Sequence, residues 1–197
     1  MPKVSIVVVG HAKYEKYLPT ALKSLDQQTS ADIEVIYVDN TGFNLSTGCN
    51  AGIKKAKGQY IVRVDADDWV EPELIEYEAD YLDSHPDVDC VYSDFITANE
   101  MAPGVYSLEV TPQESLVHAC AAMYRKPVWA GLGGYDESLE YQESVDFWIR
   151  FGLAGLKAER LALPLYYYRK HEGQMSSNPE RDRVRKQVLE KYGITCI

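Results

Sequence analysis

The sequence has no apolar stretch long enough to span a bilayer, and its cysteines form no metal-binding pattern. The four cysteines, Cys49, Cys90, Cys120 and Cys196, are widely separated and include no CxxC pair. Neither a zinc site nor a disulfide framework is therefore expected. Met1–Gly10 is too short for a signal peptide. We expect a chain that works in the reducing cytoplasm and has no transmembrane segment.

Positive charge is also scarce. The chain carries 20 lysines and arginines against 30 aspartates and glutamates, for a formal net charge of −10. Proteins that follow a phosphate backbone usually carry a basic excess, so nucleic-acid binding is not expected. The same acidity opposes general adsorption to anionic membranes. With 197 residues and no internal repeat or linker, the chain is suited to one globular domain.

The first part of the chain alternates β-branched apolar runs with amphipathic segments. The predicted strands are Val4–Val9, Ile33–Val38, Tyr60–Val64 and Val88–Tyr92, and the predicted helices are Tyr14–Gln28, Asn44–Lys57 and Pro72–His85. This alternation is typical of a parallel sheet built from right-handed βαβ units. We therefore predict an α/β fold with helices on the faces of the sheet.

After about residue 95 the pattern becomes mixed. We predict loop and short strand over Met101–Pro112, a strand over Val117–Tyr124, a turn at Gly131–Asp136, a helix over Tyr141–Ala154, an extended segment over Ala158–His171 and a polar helix over Asn178–Tyr192. The simplest organisation is one domain with an α/β front half and a mixed back half.

Polar groups follow three of the predicted strands. Gly10 and His11 follow the first, Asp39 the second, and Asp65 and Asp67 the third. Ligands of open parallel sheets bind beyond the carboxyl ends of the strands, so these groups are candidates for one site. Asp39 could accept hydrogen bonds from a base or ribose. Taken alone, an aspartate that bonds its own turn is the better explanation.

The pair Asp65 and Asp67 is the more specific signal. Two carboxylates at one strand end can hold Mg²⁺ or Mn²⁺, which neutralises the negative charge that grows on a nucleoside-diphosphate leaving group. The alternative is a set of aspartates that favour the N-terminus of the helix after Pro72, and Asp68 and Glu71 fit that role. An Asp-x-Asp motif is frequent by chance, so other motifs must decide its meaning.

An ordered series of motifs extends to about Ser176. The series comprises Val4–Val8, Tyr17–Leu25, Gln28-Thr29, Glu34–Asn40, Asn50–Ile53, Ala56–Ile61, Asp65–Trp69, Gly133–Glu137, Phe147–Arg150 and Pro164–His171. In this order and spacing, the sequence resembles the family 2 glycosyltransferases, which have the GT-A fold. The ordered set is far more specific than any single motif and strengthens the interpretation of Asp-x-Asp.

The resemblance implies a Rossmann-like, mostly parallel central sheet flanked by helices. It assigns residues 1–95 to a nucleotide-sugar-binding half, 96–176 to a mixed acceptor-binding and catalytic half, and 177–197 to a C-terminal helix. It also implies an inverting, metal-dependent enzyme of the hexosyltransferase type. Such an enzyme moves a sugar from a nucleoside-diphosphate sugar, often a UDP-sugar, to a hydroxyl of a glycan or lipid-linked acceptor in polysaccharide or glycan synthesis.

The resemblance also implies roles for single residues. The expected donor-binding residues are Val9, Gly10, His11, Asp39, Asn40, Asn50, Arg63, Asp65, Ala66, Asp67 and Arg169. Asp67 and His171 are expected to hold Mn²⁺ or Mg²⁺, and Arg169 to neutralise phosphate, with an exposed loop pair as the alternative for Arg169 and His171. For Arg63, a donor contact and a structural ion pair both remain open.

The general base departs from the family pattern. The family places a Glu-Asp pair at the start of the late helix, and the aspartate takes the proton of the acceptor hydroxyl. Here the matching residues are Glu143 and Ser144, and a serine hydroxyl is not basic near neutral pH. We expect Glu143 to be the base and Asp146 to be the second candidate. An ion pair with Arg150, four residues on, is the structural alternative for Asp146.

Three other functions remain as alternatives. A silent nucleotide-sugar-binding module would explain the changed base, although the intact Asp-x-Asp favours catalysis. A sugar nucleotidyltransferase would need a glycine-rich basic loop, which Val9–Lys13 does not provide. A Rossmann dehydrogenase would need the motif GxGxxG after the first strand, and this motif is absent there. The basic segment Arg181–Lys191 is interpreted as a solvated helix packed on the domain, with a peripheral membrane contact as the alternative. The sequence does not indicate an oligomeric state.

Overall fold

The computed structural model describes residues 1–113 and 120–194. Its helices are α1 (Leu18–Asp26), α2 (Leu45–Lys55), α3 (Leu74–Ser84), α4 (Lys126–Gly131), α5 (Glu143–Leu153) and α6 (Glu180–Lys191). Its strands are β1 (Val4–Gly10), β2 (Ile33–Asp39), β3 (Tyr60–Asp65), β4 (Trp69–Val70), β5 (Cys90–Ala102), β6 (Val105–Thr111), β7 (Ala122–Arg125) and β8 (Ala158–Lys170). Short 3₁₀ turns lie at Ala12–Tyr14 and Met175–Ser177.

One mixed sheet organises these strands in the order β2-β1-β3-β7-β5-β8-β4, with β6 paired to the distal part of β5. β1 is parallel to both β2 and β3, and β5 is parallel to β8. β7 runs antiparallel between β3 and β5, so the fourth predicted strand is not the neighbour of the third. The α/β sheet flanked by helices is confirmed. The described sheet is nevertheless mixed, because the antiparallel pairings of β4, β6 and β7 are not predicted by the βαβ pattern.

Several element boundaries differ from the sequence prediction. β5 continues past Tyr92 to Ala102 and forms a hairpin with β6. The prediction stopped at the first polar residues, but Asp94 is buried in the strand by a two-pronged bond from Arg160, at 2.7 and 2.8 Å. α4 was not predicted. Of the strand predicted over Val117–Tyr124, residues 117–119 lie outside the described residues.

The sheet separates two cores, and β1 contributes to both. Val4, Ile6 and Val8 pack in one core with Leu74 and Ile75 of α3. Val7 and Val9 pack in the other core with α2 and α5. Since every residue of β1 is buried, the β-branched run is explained by burial on both faces. None of the helices within the described residues is long and apolar enough to cross a membrane.

Gly52 lets α2 approach β1 closely. A Cβ at this position would lie 2.4 Å from Cγ1 of Val7 and 3.2 Å from Cγ2 of Val38. Gly152, near the end of α5, offers a comparison, because no described atom outside the local helix lies within 4 Å of the corresponding position. Both glycines are helical, so they differ mainly in the space around them.

We predict opposite effects for Gly52→Ala and Gly152→Ala. Alanine favours a helix over glycine by about 1 kcal/mol, and Gly152→Ala should stabilise the protein by up to that amount. At Gly52, overpacking costs about 1–3 kcal/mol, so the net change should be destabilising. Urea unfolding measures both changes, and Val7→Ala should relieve the cost at Gly52. A Gly52→Ala protein as stable as the parent would contradict the close packing of α2 on β1.

Candidate active site

A cavity of about 660 Å³ opens where the ends of β1 and β3 meet the first turn of α5. Nine of the expected donor-binding residues line it, namely Val9, Gly10, His11, Asn40, Arg63, Asp65, Ala66, Asp67 and Arg169. Glu143, the expected base, also lies in the wall. The ends of β1 and β3 therefore border the same cavity as Glu143.

Arg63 joins the two halves of this cavity. Its Nε and Nη2 donate to the two carboxylate oxygens of Asp65, at 2.8 and 3.1 Å, and its Nη1 donates to Oε1 of Glu143 at 3.1 Å. Arg63 is only 3% exposed. Burial opposes its charge, but the nearby carboxylates outweigh burial and raise the pKa of the guanidinium above its ordinary value. The ion pairs considered for Arg63 are therefore present, and a donor contact stays a prediction for a residue that also lines the cavity.

Glu143 is held at the cavity wall by bonds to one of its oxygens. Arg63 and the hydroxyl of Ser144, at 2.9 Å, both donate to Oε1, so neither of these bonds occupies Oε2. Gln142 precedes it with φ 67° and ψ 22°, a left-handed conformation that is uncommon for a residue other than glycine. The Nε2 of Gln142 donates to the carbonyl of Arg181 at 3.1 Å, which supports this conformation.

Asp146 has a different environment and does not belong to the described wall of the cavity. Its side chain is fully buried, and Oδ2 accepts from Arg150 at 2.8 Å. Oδ1 accepts from Lys191 at 2.9 Å and from the hydroxyl of Tyr192 at 2.7 Å. Burial raises the pKa of Asp146, but these donors outweigh it and lower the pKa overall. The geometry gives Asp146 a structural role between α5 and α6 and does not support it as a base.

Asp67, which lines the cavity, contacts His171, which is not among the lining residues. Nε2 of His171 lies 3.0 Å from Oδ2 of Asp67, and Nδ1 lies 2.9 Å from the carbonyl of Glu172. The bond to Asp67 raises the pKa of His171 against the opposing effect of burial. Neighbouring ligands of an octahedral ion with bonds of about 2.1 Å are about 3 Å apart. The two facing atoms of Asp67 and His171 therefore fit chelation of Mg²⁺ or Mn²⁺.

A second group of possible ligands, Asp65, Asp68 and Cys120, fits such an ion less well. Its ligand atoms lie within 4.8 Å of one another. Asp68 already accepts the backbone N–H of Arg169 at 2.8 Å and the hydroxyl of Tyr166. The thiol of Cys120 lies 2.9 Å from Asp65, and sulfur is a poor ligand for Mg²⁺. The hydrogen bonds of Asp68 instead connect the Asp-x-Asp turn to β8.

The guanidinium of Arg169 is enclosed by aromatic rings. Its Cζ lies 4.5, 4.6 and 4.9 Å from the ring centroids of Tyr17, Trp69 and Tyr106. Its Nε donates to the backbone carbonyl of Asp67, and burial lowers its pKa. Arg169 was expected to neutralise phosphate, but its visible contacts position the Asp67 loop.

Asn50 and Asp39 also have local partners. Nδ2 of Asn50 donates to the Tyr135 carbonyl at 2.9 Å and to Glu137 at 2.8 Å, and its Oδ1 accepts the Tyr135 N–H at 2.9 Å. Asn50 thus holds the loop before α5 and does not line the described cavity. Oδ1 of the exposed Asp39 accepts from the backbone and hydroxyl of Thr41, as the turn alternative predicts.

Sequence reasoning missed several residues of the wall. Lys13, Tyr14, Tyr141, Gln142, Arg181 and Arg185 line the cavity but were not assigned to the site. The spacing of Arg181 and Arg185, one helical turn apart, was the available signal. It was interpreted as a solvated helix because nothing in the sequence shows which face of that helix meets the cavity.

Comparisons with known proteins agree with this architecture. The family model described as Glycosyl transferase family 2 matches residues 39–128. The structure of S. aureus TarS residues 1–349 in complex with UDP-GlcNAc superposes with a TM-score of 0.75 at 19% identity, over 99% of this chain and 68% of that one. This match establishes the GT-A fold.

Curated relatives extend the similarity beyond the family-model region. An uncharacterised glycosyltransferase of Methanocaldococcus jannaschii is 28% identical over 97% of this chain and 77% of its own length. One from Rickettsia prowazekii is 24% identical over 76% of this chain and 58% of its own length. The Escherichia coli UDP-Glc:alpha-D-GlcNAc-diphosphoundecaprenol beta-1,3-glucosyltransferase WfaP is 25% identical over 83% of this chain and 67% of its own.

The ion pairs of Arg63 generate a prediction about stability. Replacing Arg63 by glutamine leaves Asp65 and Glu143 without their shared cation, and breaking a buried pair costs about 3–5 kcal/mol. We expect a loss of about 3 kcal/mol in the free energy of unfolding, measured with urea at pH 7. Arg183→Gln is the matched control, since Arg183 is exposed and its partners within the described residues, Glu180 and Gln187, lie in its own helix. Equal stability of the two variants would contradict the role of Arg63.

Proposed function

Because the chain belongs to the family 2 glycosyltransferases, we propose that it is an inverting, metal-dependent enzyme that uses a nucleoside-diphosphate sugar. A UDP-sugar is the proposed donor, and a hydroxyl of a glycan or lipid-linked molecule is the proposed acceptor, in polysaccharide or glycan synthesis. Buried free thiols at Cys49 and Cys90 agree with the cytoplasmic location that we propose.

One observation carries the proposal: Arg63 bonds both Asp65 and Glu143 at the wall of one cavity. Inverting transfer needs the acceptor hydroxyl on the side of the anomeric carbon opposite the leaving diphosphate, with a base in reach of the hydroxyl proton. Asp65 ends β3 on the donor side, and Glu143 begins α5 on the other side of the shared arginine. A silent binding module would not require this second carboxylate in the wall.

The donor is proposed to lie over the ends of β1 and β3. Val9, Gly10, His11, Asn40 and Ala66 form this part of the wall. Asp39, at the end of the neighbouring β2, is proposed to reach the base or ribose with the carboxylate oxygen that Thr41 does not use. In this arrangement Asp65 faces the sugar, and the diphosphate points towards Asp67.

Glu143 is proposed to take the proton of the acceptor hydroxyl on Oε2. The acceptor oxygen then attacks the anomeric carbon, and the bond to the diphosphate breaks with inversion. Arg63 orients Glu143 through Oε1 and places a positive charge between Glu143 and Asp65. Mg²⁺ or Mn²⁺, held by Asp67 and His171, would neutralise the charge that develops on the departing diphosphate.

Glu143→Gln tests the base. Glutamine retains an oxygen that can accept from Arg63 and Ser144, but it takes no proton. We expect turnover to fall by about 10²–10⁴-fold, while the Kd for the nucleoside diphosphate changes less than twofold. Turnover is followed as diphosphate release from a panel of nucleotide sugars with Mn²⁺.

Asp146→Asn is the matched control for this change. It should lower the melting temperature, because Asp146 links α5 to α6, but it should keep most of the turnover per folded molecule. Normal turnover by Glu143→Gln would contradict its role as base. A fall in turnover with Asp146→Asn alone would favour the second candidate.

A second prediction concerns the metal. EDTA should abolish turnover, and added MnCl₂ should restore it. Asp67→Asn should raise the Mn²⁺ concentration needed for half-maximal turnover at least about tenfold, since it removes a charged ligand. Asp80→Asn, on the exposed side of α3, is the control and should leave the Mn²⁺ dependence unchanged. Undiminished turnover in EDTA would show that the reaction needs no divalent ion.

A further inference from the structure

Two arginines of the cavity wall have no assigned task. The basic side chains that line the cavity are those of His11, Lys13, Arg63, Arg169, Arg181 and Arg185. Arg63 is neutralised by carboxylates, and Arg169 is enclosed by rings. Arg181 and Arg185 differ from both, because no ion pair is found for either within residues 1–113 and 120–194. In a chain with a formal charge of −10, uncompensated cations in a cavity indicate an anionic ligand.

The local contacts leave these guanidinium groups available. Arg185 is exposed, and no bond to its side chain is found among the described residues. Arg181 is half-buried, and its Nη1 donates to the carbonyl of Ser176 at 2.8 Å, which uses one of five N–H donors. Arg183, between them in sequence, bonds Glu180 and does not line the cavity. Of the three arginines of α6, Arg181 and Arg185, which are one helical turn apart, line the cavity.

The position of α6 associates these arginines with the base. α6 packs on α5 through Lys191 and Tyr192, which both bond Asp146. The side chain of Gln142 bonds the backbone of Arg181, and Glu143 is the next residue. Arg181 therefore bonds the residue that directly precedes Glu143, the proposed base. The expected diphosphate position lies at Asp67 and His171, on the strand-end side.

We propose that Arg181 and Arg185 bind a phosphate group of the acceptor, so that the acceptor is a phosphate ester whose receiving hydroxyl lies near that phosphate. This inference rests on the proposed function, because it takes Glu143 as the base. Guanidinium groups bind phosphate oxygens in a two-pronged geometry. Two arginines also match the charge of about −1.5 to −2 on a phosphomonoester at pH 7.

Binding of a simple phosphate ester tests the proposal without knowledge of the natural acceptor. The full chain is saturated with UDP and Mg²⁺, so that the donor site is filled, and is then titrated calorimetrically with glycerol 3-phosphate. Glycerol is the uncharged control ligand. We expect glycerol 3-phosphate to bind alongside UDP, and Arg185→Gln to weaken it about tenfold. The double variant Arg181→Gln/Arg185→Gln should weaken it further.

Arg183→Gln is the control variant and should bind glycerol 3-phosphate like the parent. All variants should bind UDP with an unchanged Kd, and unchanged melting temperatures would show that they fold. Equal binding of glycerol 3-phosphate by the parent and Arg185→Gln would overturn the proposal. So would displacement of UDP by glycerol 3-phosphate, or weaker UDP binding in Arg185→Gln, because the arginines would then serve the donor.

Failure of the proposed function has a different signature. A parent protein that binds no UDP in the presence of Mg²⁺ or Mn²⁺ would contradict the nucleotide-sugar donor. Glycerol 3-phosphate would then be titrated without UDP. Binding that is lost in Arg185→Gln would retain the phosphate site without the proposed function, and binding that is unchanged in Arg185→Gln would overturn both.

Discussion

The buried cation of Arg63 is the interaction on which the site depends. Asp65 and Glu143 are carboxylates from parts of the chain about 80 residues apart, and they approach one cavity at the same place. Two like charges in a poorly solvated site repel each other, and each loses hydration energy. One guanidinium with bonds to both offsets much of that cost and also fixes their separation. The same bonds connect β3 to α5, so they join the two sides of the cavity that we propose for the donor and for the base.

Arg169 stabilises the Asp-x-Asp turn in a similar way, through hydrogen bonds to Asp67 and Asp68. The backbone N–H of Arg169 bonds Asp68, and its side chain bonds the carbonyl of Asp67 from within a group of aromatic rings. Asp68 is 1% exposed, and burial raises its pKa well above the ordinary range. These two residues stabilise the turn in one conformation, which leaves Asp67 free to point towards His171. Arg169, which the sequence suggests as a phosphate ligand, therefore also stabilises the turn.

The sequence predicts the parts of this structure that depend on local pattern. The β-branched run at Val4–Val9 predicts a strand buried on both faces, and the strand ends place Gly10 and Asp65 at one edge. The insertion of β7 between β3 and β5 could not be predicted, because strand order depends on pairings between distant segments. The hydrogen-bond partners of individual side chains could not be predicted from the sequence either. Asn50 resembled a donor ligand, but its amide groups are taken by Tyr135, 85 residues away.

The start of α5 bears on our proposal that Glu143 is the base. Neighbouring residues of a helix point about 100° apart, so a carboxylate moved by one residue would ordinarily face elsewhere. Here the left-handed conformation of Gln142 directs the chain into the helix, and Glu143 and Ser144 both line the cavity. Ser144 then donates to Glu143 and helps to orient the residue that we propose in place of the usual base. The side chain of Gln142 also bonds the backbone of Arg181. The proposed base therefore lies on α5, and the arginines proposed to hold the acceptor lie on α6, which packs against it. This packing would fix the distance between the reacting hydroxyl and the phosphate group of the acceptor.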